Sequence, residues 1–374
     1  MSSFDNLNIT PAVTSNIEHR SECIPYYDAF WSTDADAWCL AGATLPIFTA
    51  PMACVVDDEN YLEFDDEGII PIIPRTVPFE KRFTLMRQMV WIAVGLQEFE
   101  DLISGEERID CDMFICVDMA NGHMQKLLDL CKKGKEKYGC QLTLMAGNVA
   151  NPLTYYEYAK VGIDYIRCSV GSGGACRTND LTGIGYPIEK LISEVKKAKE
   201  QVSNSISLKD NVYASIPKIV MDGGIHSIRD IIIAIALGAD YVMCGKIFAK
   251  CQEASGKIIP KLLDKVVERL ETIYPDEDCD EEDYELEPEV ILRDVKTKEL
   301  VDGRMYYGMS TERAQREMGN IKIKHSEGSE EWVAIEYNLH DWVSQFVAAI
   351  SSTMSYCNKD TLEKFVGKVN VNRK

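Results

Sequence analysis

Residues Lys218–Gly245 read KIVMDGGIHSIRDIIIAIALGADYVMCG. Two short apolar runs, KIVMD and YVMCG, flank a stretch whose apolar residues recur at helical spacing. That stretch opens with Ser227 and carries Asp230 in its first turn, a capping pattern that starts a helix. The glycines after each run mark tight strand-to-helix turns. The unit is strand–helix–strand. A continuous apolar run in such a unit is a strand covered on both faces, hence parallel.

Upstream, the same kind of run recurs six times, each ending in Gly, Pro, Asp or a similar breaker: Pro46–Met52 (PIFTAPM), Ile69–Pro74 (IIPIIP), Val90–Gly95 (VWIAVG), Met113–Asp118 (MFICVD), Leu142–Gly147 (LTLMAG) and Tyr165–Ser169 (YIRCS). Helical patterns lie between them. Gly122–Tyr138 puts Met124, Leu127, Leu128 and Cys131 on one face; Leu153–Val161 and Ile188–Val202 follow. Eight strands alternating with helices predict a closed α/β fold, a (β/α)8 TIM barrel. The rival is an open doubly wound sheet.

Residues 1–45 are polar and irregular and read as an N-terminal arm; 46–374 read as the barrel domain. After the last strand a long insertion, about 250–340, is placed to act as a flap over the barrel mouth. Within it Ile258–Tyr274 is expected as an amphipathic helix and Val290–Tyr307 as a hairpin. A helical stretch ending near Gly319 and a final helix, Asp341–Ser355, complete the chain. Pro275–Glu289 (PDEDCDEEDYELEPE) is a solvated acidic run.

The 374 residues are 46% hydrophobic and carry a net charge of −20. Such a charge repels nucleic acid polymers, though a locally positive pocket still admits a small anion. The thirteen cysteines form no CxxC pair, and most sit in apolar runs (Cys116, Cys168, Cys244), as reduced thiols do. The opening MSSFDNLNIT has neither a basic nor an apolar signal region, and no apolar run is long enough to span a bilayer. A soluble, cytoplasmic protein without a membrane partner is the expectation.

The chemistry gathers in Ser169–Pro187, SVGSGGACRTNDLTGIGYP. Backbone N–H groups of a glycine-rich turn lower the pKa of a thiol such as Cys176 from about 8.5, and a thiolate attacks electrophilic carbon. Alone, the stretch reads equally well as a surface loop with an incidental thiol. Polar residues also follow the other strands: Asp118 and Asn121, Asn148, Asp222, and the glycine at 245. A barrel gathers these at its C-terminal face, and the loops after its last two strands commonly bind phosphate. Thr178 is close in sequence to Cys176, but its hydroxyl needs a partner base; Glu327, in KHSEG, is a candidate. The GxGxxG-like strings lack the strand–helix context of a nucleotide fingerprint, and His123, His226 and His325 lack metal-site spacing.

DMANGH (118–123), MAGNV (145–149), the cysteine loop ending TGIGYP (182–187), MDGG (221–224), GADYVMCG (238–245) and YYGMS (306–310) together resemble the IMP dehydrogenase/GMP reductase family over roughly residues 45–370. The resemblance implies a TIM barrel with Cys176 as nucleophile toward purine C2. The interval 80–112 has no room for CBS domains, and no Arg-Tyr pair follows residue 300. YYGMSTE and HSEG look like the reductase branch. That branch implies NADPH-dependent deamination of GMP to IMP, with Cys176, Thr178 and Glu327 catalytic. By position, Asp222, Gly223, Gly224 and Gly245 would hold ribose and phosphate, joined by Lys246. Gly308, Met309, Ser310, Ser326 and Gly328 would meet the base. Asp118, Met119, Ala120 and Tyr356 would lie near NADPH, and the carbonyls of Gly171, Gly173 and Cys176 would take K+. A homotetramer is implied. The chain departs from the family at Gly174 (family Ser), Lys246 (Gly), Arg177 (Thr), Asn179 (Arg) and Asn358 (Gly); a deoxynucleotide or modified purine is the matching alternative substrate. The competing readings are an IMP dehydrogenase without regulatory domains and a non-catalytic nucleotide-binding barrel.

Overall fold

A computed structural model describes residues 4–32, 37–105, 108–171, 174, 178–204, 215–273, 289–320, 322–323 and 328–374. The eight apolar runs become eight parallel strands: β1 (Ile47–Thr49), β2 (Ile72–Ile73), β3 (Trp91–Val94), β4 (Met113–Asp118), β5 (Leu142–Val149), β6 (Tyr165–Cys168), β7 (Lys218–Asp222) and β8 (Tyr241–Cys244). They pair in sequence order, and β8 pairs back onto β1. The remaining seam is closed by a parallel bridge from Phe48 to Ile70, where Thr49 N donates to Ile70 O at 3.0 Å. Closure excludes the open sheet. Every residue of β3 and β8 is buried, as strands covered on both faces require.

Helices α1 (Tyr61–Asp66), α2 (Phe79–Met86), α3 (Leu96–Ser104), α4 (Gln125–Tyr138), α5 (Thr154–Lys160), α6 (Ile188–Asn204), α7 (Ile228–Leu237) and α8 (Leu339–Tyr356) alternate with the strands. In α4 the buried stripe is Leu127, Leu130, Cys131 and Tyr138; Met124 and Leu128 are half-buried at its edge. Ser227 caps α7, its hydroxyl accepting from Asp230 N.

The lower end of the barrel is filled by rings from the starts of the strands. Phe48, Trp91, Tyr165 and Tyr241 pack mostly edge to face or tilted, with centroids 5.1–5.7 Å apart, a favourable aromatic geometry. Tyr27, from the N-terminal segment, closes this layer, its ring 4.9 Å from Tyr241 and its hydroxyl donating to Asp240 O at 3.0 Å. With that end plugged by apolar bulk, polar groups are left to the opposite end. Among the described residues no helix is long and apolar enough to cross a membrane.

The insertion differs from expectation. Residues expected as an amphipathic helix instead form β9 (Lys261–Ile273), paired antiparallel with β10 (Glu289–Val301). The expected hairpin over 290–307 is also split: β11 (Gly303–Tyr307) pairs with β12 (Glu330–Ala334), not with β10. Leu262, Leu263, Val266, Val267 and Leu270 do fall at helical spacing. A two-stranded ladder formed with a distant segment overrides that weak local preference. Residues 274–288, most of the acidic run, lie outside the described residues.

Candidate active site

The C-terminal ends of the strands surround a cavity of about 540 Å³. At its floor β6 contributes Arg167, fully buried and facing inward. Its Nη1 donates to Asp118 Oδ1 at 2.8 Å, at the end of β4, and its Nη2 to Asp222 Oδ2 at 2.7 Å, at the end of β7. Asn148 Nδ2 donates to the same Asp222 oxygen at 2.6 Å. Burial works against the guanidinium's charge; Asp222, Cys116 and Asp118 outweigh it and hold its pKa well above the ordinary value. A buried cation with two carboxylates fixes three strand ends relative to one another.

Above this floor the walls are backbone-rich. Gly223 and Gly224 have φ of +92° and +74°, a conformation that favours glycine. Gly245 is favoured by space: a Cβ there would be tight, 3.0 Å from Tyr306 Oη and 3.1 Å from Met52 Sδ. At the N-terminus of α7, Ser227 Oγ accepts from Asp230 N, and Asp230 Oδ2 accepts from His226 N at 2.9 Å. The glycine turns and Lys246 add anion-holding groups at this end.

The insertion roofs the cavity. Gly308, Met309 and Ser310 line it, held by Thr311 Oγ1 donating to Gly308 O at 2.8 Å and Gln315 Nε2 to Ser310 O at 2.9 Å. Gly328 packs on this turn, where a Cβ would be 2.8 Å from Ser310 Oγ. Ser329 Oγ donates to Gly174 O at 3.5 Å, joining the roof to the cysteine loop. Thr178 also lines the cavity.

The structure thus brings together Asp118, Met119, Ala120, Gly171, Thr178, Asp222, Gly223, Gly224, Gly245, Lys246, Gly308, Met309 and Ser310 around one cavity. Cys176, Glu327, Ser326, Gly173 and Arg177 lie outside the described residues. Tyr356 is 70% exposed and borders a different cavity, beside Asn8, Ile9 and Ile232. Asn358, at φ +54°, adopts the left-handed turn that a glycine would, and its Oδ1 accepts from Asn16 N at 3.1 Å. Of the histidines, His123 is a structural group: its Nε2 accepts from Ala150 N at 3.0 Å, and burial lowers its pKa.

Sequence reasoning missed Arg167, Arg75 and Glu331. Arg167 sat inside the run YIRCS, where a lone charge in a buried strand was the available signal. Arg75 follows β2 and lines the cavity; its Nε is buried without a hydrogen-bond partner, Glu98 lying 3.9 Å away. Cys116, Cys168 and Cys244 are buried, and burial raises each thiol, that of Cys116 to about 12. Among the described residues no thiol lines the cavity.

Residues 82–265 match the family model for the IMP dehydrogenase / GMP reductase domain. GMP reductase 2 of Homo sapiens is 27% identical over 272 residues, 72% of this chain and 64% of that protein. GMP reductase 1 of Homo sapiens is 31% identical over 167 residues, 45% of this chain and 44% of that protein. The inosine-5'-monophosphate dehydrogenase of Chlorobaculum tepidum is 37% identical over 145 residues, 39% of this chain and 26% of that protein. The chain spans less than two-thirds of each of these relatives.

Proposed function

From a chain that carries an IMP dehydrogenase / GMP reductase domain over residues 82–265, we propose reductive deamination: a guanine nucleotide (GMP, dGMP or a modified purine nucleotide) yields the inosine nucleotide and ammonia, with NADPH as reductant. The observation that carries this reading is the contact between Ser329 and Gly174. Ser329 follows the reductase-like HSEG stretch in sequence, and its contact reaches the cysteine loop at Gly174, beside a cavity that Thr178 lines. One reductase aligns over 72% of this chain, against 39% and 55% for two dehydrogenases, which supports the same branch although both dehydrogenases are more identical where they align.

In this reading the Cys176 thiolate forms a bond to C2 of the purine. Thr178 relays a proton from Glu327 to the exocyclic amine, because nitrogen leaves as ammonia and not as an anion. The C2–N bond breaks and a thioimidate remains on Cys176. When bound, NADPH supplies the hydride that takes the place of sulfur at C2, and the thiolate is released. Asp118, Met119, Ala120 and Arg75 would hold the dinucleotide; the buried, unpartnered Arg75 Nε fits a polar ligand on that side of the cavity. Tyr356 is not part of this set within one chain. Potassium on the carbonyls of Gly171, Gly173 and Cys176 belongs to the same proposal.

The test is to incubate the protein with GMP, dGMP and IMP, each with NADPH, NADH, NADP or NAD, and follow nicotinamide absorbance. Oxidation of NADPH with a guanine nucleotide, with ammonia released, is expected. Reduction of NAD with IMP would establish the reverse branch, and silence in every mixture would overturn the activity.

A further inference from the structure

Lys246 is the second residue after β8, and its ammonium contacts both carboxylate oxygens of Glu331, at 2.7 and 2.8 Å. Glu331 stands on β12 opposite Tyr306 of β11. Cross-strand partners project from the same face of a sheet. Of that face, Tyr306 borders the cavity beside Gly174 and Lys246, and Glu331 reaches it through its contact with Lys246. Gly174 sits against this end: a Cβ on it would make ordinary contacts among the described residues, 3.7 Å from Lys246 Cδ and 3.8 Å from Tyr306 Cε1. Arg167 is committed to Asp118 and Asp222 at the floor, and the α7 N-terminus is capped from within. Among the described residues beside Gly174 and Tyr306, Lys246 is the ammonium, and a carboxylate of the same chain already neutralises it.

We infer that Glu331 is a specificity-determining residue: it is an internal counter-ion in the anion subsite formed by Lys246, Gly174, Gly245 and Tyr306, and a ligand's phosphate enters that subsite by displacing it. The identity of the ligand as a purine nucleotide rests on the function proposed above. Both side chains of the pair are partly exposed, 29% for Lys246 and 39% for Glu331. Such a pair is weak and Glu331 can turn to solvent, so exchange strands no buried charge. A phosphate dianion offers the ammonium more charge and more acceptor oxygens than a carboxylate. Glu331 therefore sets how strongly the cavity prefers a phosphorylated ligand to the bare nucleoside.

The experiment is calorimetric titration of the full chain with GMP, guanosine, AMP and adenosine at fixed ionic strength, for the wild type, Glu331→Gln, Lys246→Met and the double variant. The substitutions are close in shape, and matching thermal melts check folding. Glu331→Gln should tighten GMP roughly two- to fivefold with guanosine unchanged. Lys246→Met should weaken GMP roughly tenfold, again sparing guanosine, and should abolish the effect of Glu331→Gln. Unchanged or weaker GMP binding in Glu331→Gln, or an equal shift for guanosine, overturns the inference. Loss of guanine-over-adenine preference with the Glu331→Gln effect intact counts against the proposed function alone. Guanine preference without that effect counts against Glu331 alone.

Discussion

Arg167 Nη2 lies 2.7 Å from Asp222 Oδ2, with the arginine side chain 7% exposed and the aspartate 16%. This contact ties β6 to β7 across the barrel top, while the guanidinium's other arm ties β4 through Asp118. Replacing Arg167 with Met leaves two carboxylates facing each other without a cation. Breaking a buried pair from one side costs about 3–5 kcal/mol, and a fall of that size in urea-unfolding free energy is expected. Arg167→Met with Asp222→Asn should recover part of it. A loss below about 1 kcal/mol in the single variant would mean that water replaces the guanidinium at little cost.

Two glycines of the cavity should respond oppositely to one added methyl group. At Gly245 a Cβ meets Tyr306 Oη at 3.0 Å and Met52 Sδ at 3.1 Å. Gly245→Ala should therefore cost about 1–3 kcal/mol through overpacking. At Gly174 the nearest atoms among the described residues are at 3.7 Å, an ordinary contact. Gly174→Ala should fold with a change within about 0.5 kcal/mol. Thermal melts of both variants decide the point; equal destabilisation would show that the cavity end is not open at Gly174.

Buried thiols give the fold an alkaline limit. Burial raises Cys54 from 9.0 to about 11 and Cys116 from 9.0 to about 12. The folded state thus prefers the neutral thiol. Its contribution is fully present below pH 9 and is lost as pH rises from 9 toward the folded values, because only the unfolded chain ionises there. The denaturation midpoint should hold steady between pH 7 and 8.5 and fall between 9 and 12. A midpoint that rises over that interval would contradict the burial of these groups.

What the sequence disclosed follows from which interactions are local. Fully buried parallel strands appear as apolar runs, so β4 and β7 could be read to the residue, and Ser227 announced the start of α7. β9 could not, because its pairing with β10 crosses the acidic run and backbone hydrogen bonds leave no mark on side-chain spacing. The glycine turn at 223–224 was legible as a backbone requirement. Glu331 was not: its partner Lys246 is 85 positions away, and the pairing of β11 with β12 is what brings it beside that ammonium. Arg167 was hidden for a similar reason, since strand alternation shows an inward face only once the barrel closes.

The proposed chemistry divides between residues in a way that separate measurements can resolve. If Cys176 forms the bond to C2, Cys176→Ala should abolish turnover, a loss of at least about a thousandfold, while nucleotide still binds. If Glu327 supplies the proton to the departing amine, Glu327→Gln should slow ammonia release by about a hundredfold or more. The later hydride step should be much less affected in single-turnover experiments. If Thr178, which lines the cavity, relays that proton, Thr178→Ala should share the deamination defect. The decisive readout is the ratio of the two steps. Equal slowing of ammonia release and hydride transfer would assign Glu327 and Thr178 to holding the ligand and not to moving the proton, and normal turnover of Cys176→Ala would remove the covalent step altogether.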